Sequence, residues 1–264
     1  MFFSRINGVV HHYLTAGKTD APPLVLANSL GTDLRIWHSV AEQLAGSFET
    51  VRYDKRGHGL SQDIDPPYSI NDLSEDLARL LDILEIDQAV VCGISVGGLI
   101  AQRLALSHPK RVRALVLCDT GARIGSFESW QQRIETVRSG GLKALESAMM
   151  ERWFSVGFRA RCPDAITGYA KMLRQTSLEG YLGTCCALRD ADFRKTIASI
   201  NCPTLVLTGA EDVATPPELG RQLASSIRGA KFSAIEYARH LACVKQPEIM
   251  AKRMMDFFRE VKIV

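Results

Sequence analysis

No stretch of the 264 residues holds the roughly 18 uninterrupted apolar residues that a membrane-crossing helix needs. Charge of one sign is equally scarce. With 32 Lys/Arg against 29 Asp/Glu, the formal net charge of +3 is too small to argue for a nucleic-acid partner. The residues Met1-Phe2-Phe3-Ser4-Arg5 have no long apolar core behind a basic start, so no secretory leader is expected. None of the seven cysteines stands in a Cys-x-x-Cys spacing, and a bridge between the neighbours Cys185 and Cys186 would be strained. Free thiols in a reducing cytoplasm are the expectation. No His, Cys and carboxylate cluster has metal-ligand spacing, so no metal is expected. Internal repeats and low-complexity segments are also lacking.

What is present is a soluble globular composition, 46% hydrophobic and 23% charged, long enough for one large α/β domain with an insertion. Residues 6–14 read as an early strand with Asn7-Gly8 as a turn signal. Leu24–Asn28 is a buried strand that runs into the turn Ser29-Leu30-Gly31-Thr32-Asp33. Residues 34–45 have helical periodicity, Thr50–Tyr53 is a strand, and a glycine-punctuated loop follows it. A helix over 71–84, capped by Ser69 or Asn71, carries a stripe of Leu73, Leu77, Leu80, Leu81 and Leu84. Ala114–Cys118 is apolar without alternation, as a strand buried on both faces would be. From about 122 to 195 the pattern is helical throughout, and strands return at Thr204–Gly209 and Lys231–Glu236. A last helix is expected over about 242–260, with Pro247 tolerated near its start. Alternating strands and helices predict a mostly parallel, doubly wound sheet. The helical block predicts an inserted cap over 122–195, with 1–121 and 196–264 as the core.

The sharpest local signal is Ala89–Gly98. A short apolar run feeds Gly93-Ile94-Ser95-Val96-Gly97, and a helix over 96–107 follows at once. Strand, sharp turn carrying a serine, helix is the order a nucleophile elbow needs, and small flanking residues let the strained turn form. Glycine-rich strand-to-helix turns also occur with no chemistry attached, so the serine needs partners: a base to take its proton and an acid to orient the base. Among six histidines, His240 lies just after the Lys231–Glu236 strand and is the leading base; His58, in the glycine-rich loop, is the rival. Asp212 directly follows the Thr204–Gly209 strand and is the leading acid, ahead of its neighbour Glu211 and of Asp119 after the Ala114–Cys118 strand. Loop aspartates more commonly cap turns and helices, which is the competing role for each. An acyl-transfer site also needs oxyanion donors. The Val96 N–H at a helix start is one, and the Leu30 N–H in the loop after the Leu24–Asn28 strand is the other.

These residues resemble the α/β-hydrolase fold family. Gly93-Ile94-Ser95-Val96-Gly97 matches its elbow, and the order Ser95, Asp212, His240 matches its triad order. Asp54-Lys55-Arg56-Gly57-His58-Gly59-Leu60-Ser61 resembles its D-x-R-G-x-G-x-S loop, which implies structural roles for Arg56 and His58. The chain departs from many members in carrying Asn28-Ser29 where they have His-Gly. Within the family it is most similar to the 3-oxoadipate enol-lactonases, through Asn28–Asp33, Arg152-Trp153-Phe154 and Cys185–Asp192. The resemblance implies hydrolysis of an enol-lactone bearing a free carboxylate to 3-oxoadipate; the serine mechanism, through an acyl-enzyme, requires no cofactor, and hydropathy and net charge argue for no membrane or nucleic-acid partner.

Charge distribution bears on that substrate independently. Residues 121–195 hold 12 Lys/Arg against 8 Asp/Glu, while the rest of the chain is near balance. An electropositive insertion suits a carboxylate, although helical arginines also serve simply as solubilising groups. Arg152 and Arg189 are the candidate carboxylate ligands, and Trp130 and Trp153 the candidate pocket aromatics, with packing inside the helical block as the competing role. A serine at the elbow argues against dehalogenases and epoxide hydrolases, which use a carboxylate nucleophile. Carboxylesterase, perhydrolase and C–C hydrolase activities share the triad, and a non-catalytic ligand-binding member of the fold would be expected to have lost it.

Overall fold

The computed structural model describes all 264 residues. Two strands, β1 (Phe2–Ile6) and β2 (Val9–Gly17), form a hairpin closed by Asn7-Gly8. Both turn residues have positive φ, +47° and +85°, the conformation for which Asn-Gly is favoured. The single strand expected over 6–14 is therefore two strands meeting at that turn, the first lying wholly in the apolar-rich residues Phe2–Ile6. Then follow β3 (Pro23–Ala27), β4 (Glu49–Tyr53), β5 (Ala89–Ile94), β6 (Val112–Cys118), β7 (Thr204–Gly209) and β8 (Lys231–Ile235). The eight strands make one sheet in the order β1-β2-β4-β3-β5-β6-β7-β8. The β1–β2 and β2–β4 pairings are antiparallel, and every pairing from β4 to β8 is parallel. All six residues of β5 and all six of β7 are buried, as strands covered on both faces by helices must be. Each Val or Ile so buried contributes about 1.5–3 kcal/mol, which is why unbroken apolar runs settle at the centre of the sheet.

The first helices of the sheet layers are α1 (His38–Leu44), α2 (Ile70–Ile83) and α3 (Val96–Ser107). A 3₁₀ turn, Leu34–Trp37, precedes α1, so the helical pattern read over 34–45 is split between two helix types. Ser69 caps α2 in a capping box with Asp72, and Leu73, Leu77, Leu80 and Leu81 are its buried stripe. Between β6 and β7 come α4 (Phe127–Gly140), α5 (Glu146–Trp153), α6 (Val156–Arg161), α7 (Pro163–Gln175) and α8 (Leu178–Asp190), with no strand among them. After β7 come α9 (Pro217–Ser226), α10 (Ala242–Lys245) and α11 (Pro247–Glu260). The last helix expected over 242–260 is thus two. Gln246, at φ −136° and ψ 54°, lies outside helical geometry because the proline after it disfavours that region, and Pro247 opens α11 instead of riding inside a longer helix. No helix is long and apolar enough to cross a membrane.

The glycine-punctuated loop after β4 ties the sheet to the inserted helices. Arg56 makes two 2.6 Å hydrogen bonds to the buried Asp76 of α2, and its guanidinium lies over the Tyr68 ring. The Tyr68 hydroxyl donates to the Gly180 carbonyl of α8 at 2.6 Å. A Cβ on Gly57 would sit 2.2 Å from the Gly180 Cα, so backbone rests on backbone at that point. The parallel strands aim their carboxyl ends at one edge, where Leu30, Ser95, Asp119, Asp212 and His240 follow β3, β5, β6, β7 and β8.

Candidate active site

Ser95 sits at φ 58° and ψ −119°, a conformation that costs a non-glycine residue energy and persists only where its surroundings enforce it. They do so here. A Cβ on Gly93 would lie 2.1 Å from the Gly97 carbonyl oxygen, and one on Gly97 would lie 2.3 Å from the Ala27 carbonyl oxygen. The turn is thus too tight for side chains two residues before and two residues after the serine. Ser95 N donates to Cys118 O at 3.0 Å, and the Thr120 hydroxyl donates to Ser95 O at 2.8 Å, which fixes the turn against the end of β6.

His240 is 4% exposed, and its Nδ1 lies 2.8 Å from Asp212 Oδ2. The same carboxylate oxygen accepts the Thr215 hydroxyl at 2.6 Å, and its other oxygen accepts the Ala214 and Thr215 N–H groups at 2.7 and 3.3 Å. Burial opposes ionisation of Asp212, but His240 and these hydrogen bonds outweigh it and hold the carboxyl below its ordinary pKa. The imidazole is thereby oriented from behind, with Nδ1 on the carboxylate and Nε2 left for the cavity. Ser95 lines the same cavity as His240 and makes no hydrogen bond to it, and catalytic hydrogen bonds of this kind tighten when substrate binds. Glu211 is exposed and makes no hydrogen bond to His240. Asp119, at φ 44°, accepts the Gly209 N–H at 2.7 Å; burial first, and then the neighbouring Asp212 charge, push its pKa well above the carboxylate range. It makes no hydrogen bond to His240.

His58 is remote from this arrangement. Its Nδ1 donates to Arg56 O and its Nε2 accepts the Gly31 N–H, both at 3.1 Å, which requires the neutral ring. Burial, reinforced by the charge of Lys55, pushes its pKa well below the ordinary value. The loop it braces carries Leu30. Neither the Leu30 nor the Val96 N–H donates to another group of the chain; Val96 opens α3 directly after Ser95, and Leu30, in the loop after β3, lines the same cavity as Ser95. Free backbone N–H groups, one of them at a helix start, are the type of donor an oxyanion requires.

The cavity over Ser95 has a volume of about 300 Å³ and is walled mainly by α4 and α5. Trp130, Arg152 and Trp153, expected there from sequence, all line it. Trp130 also donates to Ile124 O at 2.6 Å, and Trp153 is 1% exposed, so both pack as well as face the cavity. Arg189 does not reach it. Its guanidinium is paired with the adjacent Asp190 through 2.8 Å contacts, bonded to Gln131 and laid over the Phe127 ring on the outer side of α4. The expectation for Arg189 is corrected accordingly: its own neighbour neutralises it before any ligand does. Arg133 takes its place, a cavity residue the sequence reading passed over. It stands three residues after Trp130 on α4, with its guanidinium over that ring, and the i, i+3 spacing puts the two on one face. Thr215 was also passed over, although a threonine three residues after a loop aspartate is a common local hydrogen-bonding pattern. Neither Arg133 nor Arg152 has a carboxylate partner in the chain. Desolvation, and then the positive Arg133, push the pKa of Arg152 down.

The sequence profile of the α/β hydrolase fold matches residues 22–247. The chain belongs to that family and is a hydrolase of this fold. Within the family it is similar to enol-lactonases. It is 38% identical to 3-oxoadipate enol-lactonase 2 of Acinetobacter baylyi, over 91% of this chain and 90% of the relative. The crystal structure of the enol-lactonase from Burkholderia xenovorans superposes with a TM-score of 0.95 at 37% identity, covering 97% of this chain and 99% of the other. A thermophilic esterase from Thermogutta terrifontis, crystallised with malate, superposes with a TM-score of 0.93 at 27% identity, with 99% of each chain covered.

Proposed function

We propose that this protein is a serine hydrolase that opens an enol-lactone bearing a free carboxylate, 3-oxoadipate enol-lactone giving 3-oxoadipate, with residues 122–195 as the cap over its site. Ser95 Oγ attacks the lactone carbonyl as His240 Nε2 takes its proton, and Asp212 stabilises the imidazolium without accepting that proton. The Leu30 and Val96 N–H groups hold the tetrahedral oxyanion. Collapse breaks the ring C–O bond, and the enolate oxygen leaves with the proton from His240. The leaving group stays tethered to the acyl chain, where the enol ketonises. Water, deprotonated by His240, then attacks the Ser95 ester and releases the second carboxylate. These steps call on no cofactor.

The observation that carries the substrate class is the pair Arg133 and Arg152. Two guanidinium groups share the wall of one small cavity with Ser95 and His240, and no acidic side chain of the protein pairs with either. Unpaired like charges held together favour an anion between them. The enol-lactonase relatives support the same reading, and the malate held by the esterase neighbour shows that another member of the fold binds a dicarboxylate. The test is to follow enol-lactone loss by absorbance beside hydrolysis of neutral esters, with Ser95→Ala as control. Preference for the lactone is expected, with loss of both activities in Ser95→Ala. Preference for neutral esters would refute the substrate, and undiminished activity of Ser95→Ala would refute the mechanism.

A further inference from the structure

Lys55 is 1% exposed and is among the largest fully buried side chains of the protein. Lysine is almost never fully buried without a paired carboxylate, and this one has no ion pair. Its Nζ instead donates to the Ser29 carbonyl at 2.6 Å and to Asn28 Oδ1 at 3.3 Å. We infer that Lys55 is a positioning residue for the oxyanion hole, orienting and polarising the Ser29–Leu30 peptide so that the Leu30 N–H points into the cavity as a stronger donor. The inference rests on the reading of Leu30 as an oxyanion donor given above.

The physical link is the peptide plane. Carbonyl and N–H lie on opposite sides of a trans peptide, so a group that fixes the Ser29 oxygen also fixes the direction of the Leu30 hydrogen. A cation at the oxygen draws electron density through the amide and makes the N–H more acidic, and donors in such chains strengthen one another by about 10–30% per bond. The Thr32 hydroxyl and N–H donate to the same oxygen at 3.0 and 3.4 Å, so this carbonyl collects three donors while its partner N–H is left free. Asn28, bonded to Lys55 through Oδ1, donates through Nδ2 to Thr32 O at 2.6 Å and closes the loop on itself. A hydrophobic side chain at position 55 would avoid the cost of burying an ammonium. The charge is present where it serves one specific carbonyl.

The charged and titratable groups around Lys55 are Asp33, Asp54 and His58. Burial pushes its pKa down to about 7, against the attraction of Asp54 and then Asp33. Oxyanion stabilisation that depends on the ammonium therefore weakens as pH rises through that range.

The test compares Lys55→Met and Thr32→Val with wild type in kcat and KM on p-nitrophenyl acetate and on the enol-lactone. A third measurement is the affinity for a trifluoromethyl ketone, whose serine adduct carries an oxyanion. Removing a whole oxyanion donor costs about 10²–10³ in kcat, so weakening one by Lys55→Met is expected to cost about 10–100-fold, with KM within about threefold and ketone affinity reduced in parallel. A folded Lys55→Met enzyme with kcat and ketone affinity within about threefold of wild type overturns the inference, as does a rise in KM with kcat intact. If Lys55→Met does not fold, Thr32→Val decides, since it relaxes the same carbonyl more gently. A parallel loss of roughly 3–10-fold in kcat and ketone affinity is expected there, and no change overturns the inference. Ser95→Ala separates the two levels: full activity in that variant refutes the serine mechanism itself, whereas an inactive Ser95→Ala beside unaffected Lys55 and Thr32 variants refutes only the role of Lys55.

Discussion

Neutralising the cavity arginines should change which substrates the enzyme prefers more than how well it works on all of them. Arg133→Met keeps an apolar stem and removes the guanidinium, and with it the contact over the Trp130 ring. Two unit charges about 4 Å apart near a protein surface attract by about 4 kcal/mol before desolvation and side-chain ordering are subtracted, and hydrogen bonds to charged groups net about 1.5–3 kcal/mol. Arg133 is partly buried, which argues for about 2 kcal/mol, or roughly 30-fold in kcat/KM for a carboxylate-bearing lactone. Arg152 is exposed at the cavity rim, where solvent screening reduces the expectation to about 1 kcal/mol, or roughly fivefold. The assay is kcat/KM for the enol-lactone and for p-nitrophenyl acetate, run on both variants at low and high salt. Neutral-ester hydrolysis should stay within about twofold, and raising the salt should bring wild type toward the variants on the lactone alone. Equal losses on both substrates would mean that the arginines hold the cavity together and do not bind an anion. No loss on the lactone would remove the argument for an anionic substrate.

Three further outcomes follow from the site and its supports. Thr215→Val deletes the hydroxyl that donates to Asp212 at 2.6 Å; kcat should fall about tenfold with KM little changed, measurable by steady-state kinetics. Arg56→Met leaves Asp76 buried without its bidentate partner, and a loss of about 3–5 kcal/mol should appear as a marked drop in Tm with any residual activity keeping wild-type KM. Asp212 has a folded pKa below its unfolded value, so its contribution to stability is present above the ordinary carboxylate pKa and is lost as pH falls through the folded one. Between about pH 5 and 3 wild type should therefore lose more stability in urea titrations than Asp212→Asn does, and equal losses would contradict that assignment.

The parts of the site that could be read from sequence are those that announce themselves locally. Ser95 lies between glycines that only a tight turn needs, and Asp212 and His240 each follow a recognisable strand, so their meeting at one edge follows from parallel pairing. Arg133 and Arg189 show where that reasoning stops. Both are arginines in the inserted helices, and which one faces the cavity depends on how α4 and α8 pack. One local cue did exist, the Asp190 beside Arg189, and it pointed to self-neutralisation. Lys55 was hidden for a different reason. A lysine between an aspartate and an arginine reads as solvated loop, and only the tertiary closure of that loop over Asn28 and Ser29 buries it. In the fold, the departures are at boundaries. The hairpin strand β1 was obscured by its position at the chain start, and the break at Gln246 required weighing the residue before Pro247 as well as the proline itself.

The contact between Gly57 and Gly180 has a consequence for how this scaffold can diversify. With backbone seated on backbone and Tyr68 bridging to α8, that helix is fastened to the loop after β4 and to the segment that precedes α2. The cavity draws its wall from α4 and α5 instead. Attachment and selectivity are thus assigned to different helices. Arg133 and Arg152, which line the cavity without a carboxylate partner, can change with the substrate while the clamp at 57 and 180 stays as it is, so a new specificity does not have to be found together with a new way of folding.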